Sequence, residues 1–544
     1  MLCILHGYLL EGSGSNLWTR EIVRALVCAG ENVHLVCQEN HPELYDFIAE
    51  ARLYQPDGTV ETTLKRQPDF PGRCVLHKPL LGDTLPVYVR DRYEEFANVV
   101  PMVELGDQAI AEYLARNLTV VERVVRENAV TAIHANHAVL MSVIAERVGR
   151  ATGVPFAVMP HGSAIEYAVK KDPRFHGFAE SALTGAGRIF AIGPEMRQRV
   201  CETFPKVDGV ADKLITLNLG VDTAAFEPVA RAGRAKRISG LKQALATLQR
   251  GREADRAARL REDLARGLIA NELTAALDHA RGYVEKRPDE DLEVKLSGID
   301  WAGDEILLFV GRLIASKGLQ AVVAALPEII AKRPRARLVV VGHGPQREVI
   351  EALIWALQHG ERELVQTIAD QGGILEGGAG GLSALRIYLD QLATAGELDR
   401  YFERAAATIR PDRVVFSGYL THRELKHLFP CADAAVFPSV VAEAGPLVFL
   451  EALASGVFPL GTDFAGMAAS IAAASRHLPG EATSLMKLRP DPSHLAADIA
   501  AKAPEALANG REWQDNLRRA AVEGYDWSSV AAKLAAELKA LAQG

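Results

Sequence analysis

The sequence has few cysteines, and none of them are grouped. Six cysteines are scattered singly along 544 residues, without a Cys-x-x-Cys pair. A zinc site or a disulfide framework needs closer spacing, so we expect neither, and the sequence predicts no bound metal or cofactor. Isolated cysteines are typical of a protein that folds in a reducing compartment, and a cytoplasmic location is therefore expected.

Long apolar runs and a strong excess of one charge are also missing. No stretch of about eighteen apolar residues occurs, which argues against a membrane-spanning helix, and residues 1–14 lack the basic start of a secretory signal. The formal net charge is −8, so broad binding to nucleic acid or to an anionic membrane is not expected. Hydrophobic residues make up 49% of the chain, enough to fill the two or three cores that this length requires.

Short apolar runs alternate with longer helical patterns in two blocks, which is the pattern of parallel sheets connected by helices. In the first block the predicted strands cover residues 2–6, 32–38, 130–134, 155–159, 188–192 and 213–217. In the second block the strands lie in EILLFVGRL, ARLVVVGHG, RVVFSGYL, ADAAVFPS and GVFPLGT. We therefore expect an α/β chain with one doubly wound domain at residues 1–225 and another at residues 304–524, each binding ligands at the carboxyl ends of its strands.

Two stretches interrupt this alternation. Residues 226–303 mix acidic and basic residues with Leu and Ala at helical spacing, which predicts a charged helical insertion or linker, exposed or packed on a partner. Residues 353–410 form a second helical insertion, whose glycine-rich part is interpreted as a surface turn because no strand precedes it. A homo-oligomer formed through these insertions is one expectation. The helix predicted within residues 525–544 has no domain of its own and should pack on one of the two.

The stretch FPSVVAEAGPLVFLEALASG predicts a strand-to-helix turn that lies between two carboxylates. The loop ends at Gly445, Pro446 is favoured as the first helical residue, and Gly456 follows the helix. The first turn of a helix offers N–H groups to a phosphate. Glu443 lies before that turn and Glu451 more than one turn beyond it. An isolated pair of this kind would ordinarily be a solvated loop residue and a surface helix residue.

The loop GRLIASKG carries two cations that suit the same ligand. Gly311 lets the backbone approach a ligand, Arg312 offers a planar pair of donors, and Lys317 offers a mobile charge, which together fit two linked phosphates. This loop and the helix start at Pro446 are both predicted to follow strands of one parallel sheet. We therefore expect them at the same edge of that sheet.

The first domain offers weaker candidates. Gly12 and Gly14 lie between the first strand and a helix, where a loop can bind an anion or a sugar. His161 follows a predicted strand in the sequence PHGS, although a single histidine at such a place is more often structural. His134 and His137 form a His-x-x-His pair that the rest of the chain does not complete into a metal site.

In their order and spacing these motifs resemble the retaining sugar-nucleotide glycosyltransferases of glycosyltransferase family 4. The matching segments are the glycine loop at 12–14, PHGS at His161, NLGVDTAAF from Asn218, GRLIASKG, VVVGHGP from Val339, FSGYL at Tyr419, and the pair Glu443 and Glu451. The resemblance implies the GT-B fold, in which two Rossmann-like domains face each other across a cleft, here with helical insertions. The two insertions exceed the connections that are usual in the family.

The resemblance further implies a metal-independent, retaining hexosyltransferase that moves a sugar from a nucleotide-diphosphate sugar to an acceptor hydroxyl group. The mildly acidic composition and the lack of a basic amphipathic anchor favour a soluble small molecule or saccharide as that acceptor. By that likeness Arg312 and Lys317 hold the diphosphate, and Glu443 and His161 act at the transferred sugar. Glu451 would bind the ribose. The other donor-binding positions that the resemblance implies are Gly12, Gly14, Gly311, Tyr419, Leu420, Gly445, Pro446 and Leu447.

Two other classes of function stay open on the sequence. One is a nucleotide-sugar epimerase or a phosphorylase on the same fold, because a fold does not fix a function. A phosphorylase would need a lysine for pyridoxal phosphate, and the sequence singles none out. The other class is a non-catalytic sugar-nucleotide-binding or scaffold protein. The nucleotide base, the sugar and the acceptor do not follow from the sequence.

Overall fold

The computed structural model divides the chain into two compact units. Unit 1 comprises Met1–Gly220 together with Tyr525–Gly544, and unit 2 comprises Val221–Gly524. Residues 226–303, which the sequence predicts as a separate insertion or linker, thus lie inside unit 2. The structure describes residues 1–11, 14–82, 84–88, 96, 98–265, 286–373, 380–441 and 445–543.

Unit 1 is built on a nine-stranded sheet with the order β11-β10-β9-β8-β1-β2-β5-β3-β4. All neighbouring strands in it run parallel except the antiparallel pair β3 and β4. A separate two-stranded sheet pairs β6 with β7. The strands are β1 (Leu2–Leu5), β2 (Asn32–Val36), β3 (Ile48–Tyr54), β4 (Val60–Lys65), β5 (Arg73–Pro79), β6 (Thr84–Val87), β7 (Asn98–Pro101), β8 (Ala132–Asn136), β9 (Phe156–Met159), β10 (Arg188–Ala191) and β11 (Leu214–Thr216).

Amphipathic helices connect these strands and cover the sheet. They are α1 (Gly14–Cys28), α2 (Asp107–Glu127), α3 (Met141–Thr152), α4 (Gly162–Ala164), α5 (Pro173–Gly185), α6 (Gly193–Thr203) and α7 (Val210–Lys213). The C-terminal helix, Trp527–Leu541, also packs on this unit. Its residues Val530, Leu534 and Leu538 are buried in the same hydrophobic core as Ile4 and Ile22. The period of its apolar residues therefore buries one helix face against unit 1.

Unit 2 contains a six-stranded parallel sheet with the order β14-β13-β12-β15-β16-β17. Its central strands are apolar and almost entirely buried, as expected when helices cover both faces of a parallel sheet. The strands are β12 (Glu305–Val310), β13 (Ala336–Val341), β14 (Val414–Gly418), β15 (Ala434–Phe437), β16 (Phe458–Thr462) and β17 (Lys487–Leu488). Each of the five apolar runs predicted in this block contains one of the first five strands.

Both insertions belong to unit 2, and their helices are listed here with the other helices of the unit. They are α8 (Arg234–Leu245), α9 (Arg256–Ala265), α10 (Leu292–Ser297), α11 (Leu319–Lys332), α12 (Arg347–His359), α13 (Arg362–Gln371), α14 (Ser383–Thr394), α15 (Leu398–Thr408), α16 (His422–Leu428), α17 (Leu447–Ala454), α18 (Ala465–Ala474), α19 (Gly480–Met486), α20 (Pro492–Asn509) and α21 (Gln514–Tyr525). The predicted glycine-rich turn lies largely outside the described residues. No helix within the described ranges combines the length and the apolar character needed to cross a membrane.

Buried ion pairs fasten the first insertion to the sheet of its own unit. The guanidinium of Arg234 is fully buried and donates hydrogen bonds to both carboxylate oxygens of Asp433, at 2.7 and 3.1 Å. Burial alone would raise the pKa of Asp433, but the hydrogen bonds and charge of Arg234 lower it. Farther along, the buried Arg252 donates to Glu348 and Glu351, at 2.9 Å each. The insertion differs from a fully exposed arm, because the side chains of Arg234 and Arg252 are held inside unit 2.

Candidate functional site

The loop that follows β12 is hydrogen-bonded to the loop that follows β13. The backbone N–H of Gly311 donates to the carbonyl of Val341 at 3.0 Å, and that of Leu313 donates to His343 at 2.8 Å. In return, the N–H of Gln346 donates to the carbonyl of Leu313 at 3.0 Å. These bonds hold the two loops side by side at the carboxyl edge of the sheet, where ligands of doubly wound domains bind.

Two glycines let these loops approach each other. Gly342 and Gly344 both have a φ of +152°, a conformation that side chains disfavour. A Cβ atom on Gly342 would overlap the carbonyl oxygen of Gly311, and one on Gly344 would overlap that of Leu313. The motif VVVGHGP therefore needs its glycines for close contact between backbones.

The same loop also contacts the segment after β15. Gly318 has a φ of +76°, and a Cβ atom there would overlap the carbonyl oxygen of Pro438. The backbone N–H of Val440 donates to the carbonyl of Ser316 at 3.0 Å. The loops after β13, β12 and β15 thus lie next to one another in the order of their strands.

The two predicted cations lie on the central one of these loops. Arg312 is exposed, and Lys317 is half buried at the end of a short 3-10 helix, Ala315–Lys317. Burial, followed by the positive charges of Lys286 and Arg312, lowers the pKa of His343 to about 4. The imidazole next to these cations is therefore neutral at pH 7, and it adds no further positive charge.

The segment after β14 adds an aromatic ring to this edge. The ring of Tyr419 packs edge-on against His343, with 5.0 Å between the ring centroids. The backbone N–H of Tyr419 donates to the carbonyl of Arg287 at 3.0 Å, which ties the segment to the first insertion. Leu420 is buried beside it. The structure thus brings the predicted base-binding residues next to the loop after β13, which is hydrogen-bonded to the loop that carries Arg312.

The helix predicted after Gly445 begins one residue later than the sequence suggests. Pro446 is the N-cap, with φ −86° and ψ 102°, and the helix starts at Leu447. The carbonyl of Pro446 accepts a hydrogen bond from the N–H of Phe449 at 3.0 Å. Pro446 cannot donate, so any backbone donors for a ligand come from the residues after it. Leu447 is half buried at this helix start.

Glu451 is a buried residue and does not lie on the helix surface. Its exposed fraction is 3%, and its Oε1 accepts a hydrogen bond from Nδ1 of His422, at the start of α16. Its Oε2 has no hydrogen-bond partner among the residues that the structure describes. A buried carboxylate oxygen without a partner is costly, and a ligand hydroxyl group would relieve that cost. The ordinary interpretation of Glu451 as a solvated residue is therefore wrong.

Two predicted site residues lie outside the described residues, namely Glu443 and Gly12. Gly14, the other glycine of the predicted loop, is the exposed first residue of α1. A Cβ atom on Gly14 would meet no atom within 4 Å, so a larger residue would fit at this position.

The carboxyl edge of the unit 1 sheet is lined by aromatic and imidazole rings. His161 follows β9 and is 7% exposed, and its Nε2 lies 3.4 Å from Oδ1 of Asn136 at the end of β8. Its ring centroid is 4.7 Å from that of His137 and 6.1 Å from that of Trp18. Burial, followed by the charges of neighbouring histidines, lowers the pKa of His161 to about 3. His161 is therefore a neutral group at this edge.

His137 stands out within this group of rings. It has a φ of +72°, which is unfavourable for a residue with a side chain, and it is 1% exposed. Its ring lies 4.8 Å from that of Tyr88 and is stacked on that of His6 at 5.9 Å. Neither ring nitrogen has a hydrogen-bond partner in the part of the chain that the structure describes. A strained backbone and an unsatisfied buried side chain together are typical of a binding site.

Three site residues were missed by sequence reasoning, namely His137, His343 and His422. His343 lies within the matched segment VVVGHGP, so its position was visible while its role was not. His137 was considered only as half of a metal pair. Within the described ranges no group of three or more His, Cys, Asp or Glu side chains is arranged to hold a metal ion.

Family models match both units. The family described as Glycosyl transferase 4-like domain matches residues 13–209, within unit 1. The family described as Glycosyl transferases group 1 matches residues 299–365 and 391–500, within unit 2. The gap between the last two ranges falls in the second helical insertion.

Two relatives match parts of the chain. An uncharacterised glycosyltransferase of Methanocaldococcus jannaschii is 28% identical over 153 residues, which cover 28% of this chain and 26% of that protein. A glycogen synthase of Mycobacterium tuberculosis is 26% identical over 219 residues, which cover 39% of this chain and 40% of that protein. Each match spans less than half the length of the relative.

Two solved structures are similar over nearly the whole chain. A sucrose-phosphate synthase from Thermosynechococcus elongatus has 16% sequence identity and a TM-score of 0.51, covering 99% of this chain and 98% of its own. A glycosyltransferase from Rickettsia africae has 13% identity and a TM-score of 0.52, with coverage of 99% and 98%. At such identities the likeness concerns the fold alone. The chain therefore has the GT-B fold, and the two family models that match its units both describe glycosyl transferases.

Proposed function

We propose that this protein is a retaining, metal-independent hexosyltransferase. In this proposal it moves a sugar from a nucleotide-diphosphate sugar to a hydroxyl group of a saccharide or another small molecule. The observation that carries the proposal is the grouping at one sheet edge of unit 2. There the loop with Arg312 and Lys317 contacts the segment after β15, which precedes α17, and the loop after β13, whose His343 packs against Tyr419. Cations, an aromatic ring and a helix start at one edge suit the parts of a nucleotide diphosphate.

The diphosphate is assigned to the cationic loop and to the helix start at Leu447. Arg312 can give two parallel hydrogen bonds to phosphate oxygens, and Lys317 can follow the charge as it shifts. The N–H groups of a first helical turn and the positive end of its dipole favour the same anion. Two cations and a helix end supply the charge stabilisation that a metal ion provides in other enzymes.

The nucleoside is assigned to the neighbouring residues on the same edge. Tyr419 and Leu420 offer a partly apolar wall for the base, and the neutral His343 supports the tyrosine ring. The Oε2 atom of Glu451 would accept a hydrogen bond from a ribose hydroxyl group, since no described residue satisfies it. His422 keeps the other carboxylate oxygen occupied and so fixes the orientation of Glu451.

Sugar binding is assigned to groups that carry no positive charge. His161, neutral because of its lowered pKa, and the rings around it can donate to and pack against a polyhydroxylated ring without attracting the phosphates. Glu443 and Gly445 are assigned to the hydroxyl groups of the transferred sugar on the family resemblance.

In the proposed reaction the acceptor hydroxyl oxygen forms a bond to the anomeric carbon on the face that the leaving group departs from. The bond between the anomeric carbon and the phosphate oxygen breaks, and its electron pair stays on the diphosphate. The acceptor proton passes to a phosphate oxygen of the leaving group. Arg312 and Lys317 stabilise the negative charge that develops there, which is where a fixed cation lowers the barrier most.

The proposal is tested by incubating the full chain with UDP-, GDP- and ADP-glucose and measuring release of the nucleoside diphosphate. Release should depend on one of these donors and rise when monosaccharide or sugar-phosphate acceptors are added. An NMR spectrum of the product should show the anomeric configuration of the donor. An inverted product would contradict the retaining mechanism while leaving the transfer intact.

Two outcomes separate the other classes of function. An epimerase would change the configuration of the donor sugar without releasing nucleoside diphosphate. A binding protein would be stabilised thermally by a nucleotide sugar but would release nothing with any acceptor. Absence of turnover with every donor and acceptor would reject the transferase proposal.

A further inference from the structure

A cavity lies in unit 2 at the amino end of the edge strand β14, away from the loops at the carboxyl edge. Its volume is about 260 Å³, and its lining includes the first residues of β14 and of the preceding loop. Tyr419 follows the opposite, carboxyl end of the same strand. Two charged helices of the first insertion, α9 and α10, contribute to its wall. The insertion thus builds a site separate from the loops described above.

One wall of this cavity carries a buried cation that lacks a full set of partners. Arg347 is 1% exposed, and its guanidinium lies 4.0 Å from the centroid of the Phe416 ring. It donates to Asp289 at 2.8 Å and to Glu351 at 2.7 Å. Its remaining terminal nitrogen, NH1, has no hydrogen-bond partner among the described residues. A buried N–H group without an acceptor is costly, and an anion in the cavity would satisfy it.

Three further cations line the cavity, and they differ in how far they are neutralised. Lys295 is paired with Asp289 and Asp291, and Arg337 is paired with Asp304 and Asp412. Arg261, in α9, is exposed and has no ion-pair partner within the described ranges. Glu351 and Asp412 are the carboxylates of the lining, and each is already ion-paired with an arginine. Arg261 is therefore the exposed unpaired cation of the lining, and the NH1 group of Arg347 is the buried one that lacks an acceptor among the described residues.

The rest of the wall is apolar and partly aromatic. Leu260, Val294, Ile354 and Trp355 line it together with the Phe416 ring. The indole of Trp355 is held by stacking on His359, with 4.3 Å between ring centroids. A held aromatic face suits the face of a sugar ring. The volume is near the lower end for small-molecule sites, so it suits a single ring better than a nucleotide.

We propose that this cavity binds a monosaccharide monophosphate, with the phosphate at Arg347 and Arg261 and the ring against Trp355. The site is distinct from the donor site and does not depend on the proposed transfer. Its phosphate would accept the hydrogen bond that NH1 of Arg347 gives to no described side chain. Its ring would cover the apolar wall that α9 and α10 leave open.

The test is calorimetric titration of the full chain with glucose 6-phosphate, with glucose and inorganic phosphate as separate titrants. Saturable binding of glucose 6-phosphate is expected, at least ~10-fold tighter than either part, since the phosphate and the ring each contribute. Arg261→Gln should weaken it by ~10-fold or more, because it removes a charge-assisted hydrogen bond. Trp355→Ala should weaken glucose 6-phosphate but not inorganic phosphate.

Two controls keep the result specific. Arg259→Gln changes an exposed arginine of the same helix that is outside the cavity, and it should leave the affinity unchanged. Lys317→Ala alters the proposed donor site and should also leave it unchanged. No binding, equal binding of inorganic phosphate alone, or loss of binding in Lys317→Ala would each overturn the proposal.

Discussion

The carboxyl edges of the two parallel sheets differ in charge although they share a topology. The unit 1 edge is lined by buried rings, among them His6, His137 and His161, and burial lowers the pKa of all three. The unit 2 edge carries the exposed Arg312 and the half-buried Lys317 on a loop shaped by glycines. The histidines of the unit 1 edge are therefore neutral at pH 7, whereas the unit 2 edge carries two cations.

This difference follows from burial. Water stabilises a charged group, so histidines removed from water lose their protons, whereas Arg312 and Lys317 lie where water still reaches them. A neutral edge of rings offers contacts to an uncharged, hydroxyl-rich ligand. A cationic edge attracts phosphates. The same arrangement of parallel strands can therefore supply both halves of a sugar-transfer reaction through different residues after the strands.

Replacing the mobile cation of the unit 2 edge should have the largest effect. Lys317→Ala is expected to lower kcat by ~100-fold or more, because the leaving diphosphate loses a positive charge in the transition state. Steady-state kinetics with the preferred donor measures this. Lys332→Ala, an exposed lysine at the end of α11, is the matched control. A kcat within about twofold of the wild type would reject the assigned role.

Replacing His161 at the unit 1 edge should have an effect that does not depend on pH, because this histidine is neutral. His161→Ala is expected to lower kcat by ~30-fold, a loss of a hydrogen bond in the transition state. The loss should be the same at every pH from 5.5 to 8, because the pKa of His161 is about 3 and the side chain stays neutral there. His176→Ala, a histidine of α5, serves as the control. A loss that is large at pH 5.5 and disappears above pH 6.5 would show instead that a charged imidazole acts there.

Several strands that an apolar run marks were predicted, whereas β4, which relies on pairing, was not. The runs at Leu2, Asn32 and Arg188 became β1, β2 and β10, because strands buried on both faces must be apolar. The strands β3, β4, β5, β6 and β7 were missed, including the largely buried β5. The sequence of β4, VETTLK, is mostly exposed and polar, so only its antiparallel partner defines it as a strand.

The site was predictable where a glycine or a charge marks a loop. The segment GRLIASKG was recognisable because its glycines and cations have one chemical use together. His343 and His422 were not assigned, since their roles come from contacts with Tyr419 and Glu451, which lie far away in the sequence. The burial that makes Glu451 a costly carboxylate is also a property of the folded unit and not of its local sequence.

Acid should weaken unit 1 more than unit 2. A histidine whose folded pKa is lowered is neutral in the folded chain, while the unfolded chain binds a proton near pH 6.5. Its stabilising contribution is therefore complete above that pH and is lost as the pH falls towards the folded pKa. With a folded pKa of about 4, as for His6 and His134, each histidine should cost about 1.4 kcal/mol at pH 5.5.

Hydrogen exchange, corrected for its intrinsic pH dependence, measures this loss in each unit separately. Protection of β1, β8 and β9 should fall between pH 7.5 and 5.5 by more than that of β12 and β13. His134→Phe keeps a ring between Trp18 and Phe190 but removes one proton site, so it should reduce the loss by about one histidine's share. Equal losses of protection in both units would contradict the neutral state of these histidines.

The smallest expected effect concerns the ribose at the cationic edge. Glu451→Gln is expected to weaken binding of the preferred nucleoside diphosphate by ~10-fold, because a charged acceptor of a ribose hydroxyl becomes a neutral one. The change keeps the shape of a buried side chain that contacts His422, so kcat at saturating donor should stay close to that of the wild type.

The 2′-deoxy and 3′-deoxy nucleotides provide the cross-check in a double-mutant cycle. The deoxy nucleotide that lacks the contacted hydroxyl group should bind the wild type ~10-fold more weakly and lose little more in Glu451→Gln, because each change removes the same hydrogen bond. Additive losses for both deoxy nucleotides would place Glu451 away from the ribose, and its orphaned Oε2 would then need another ligand.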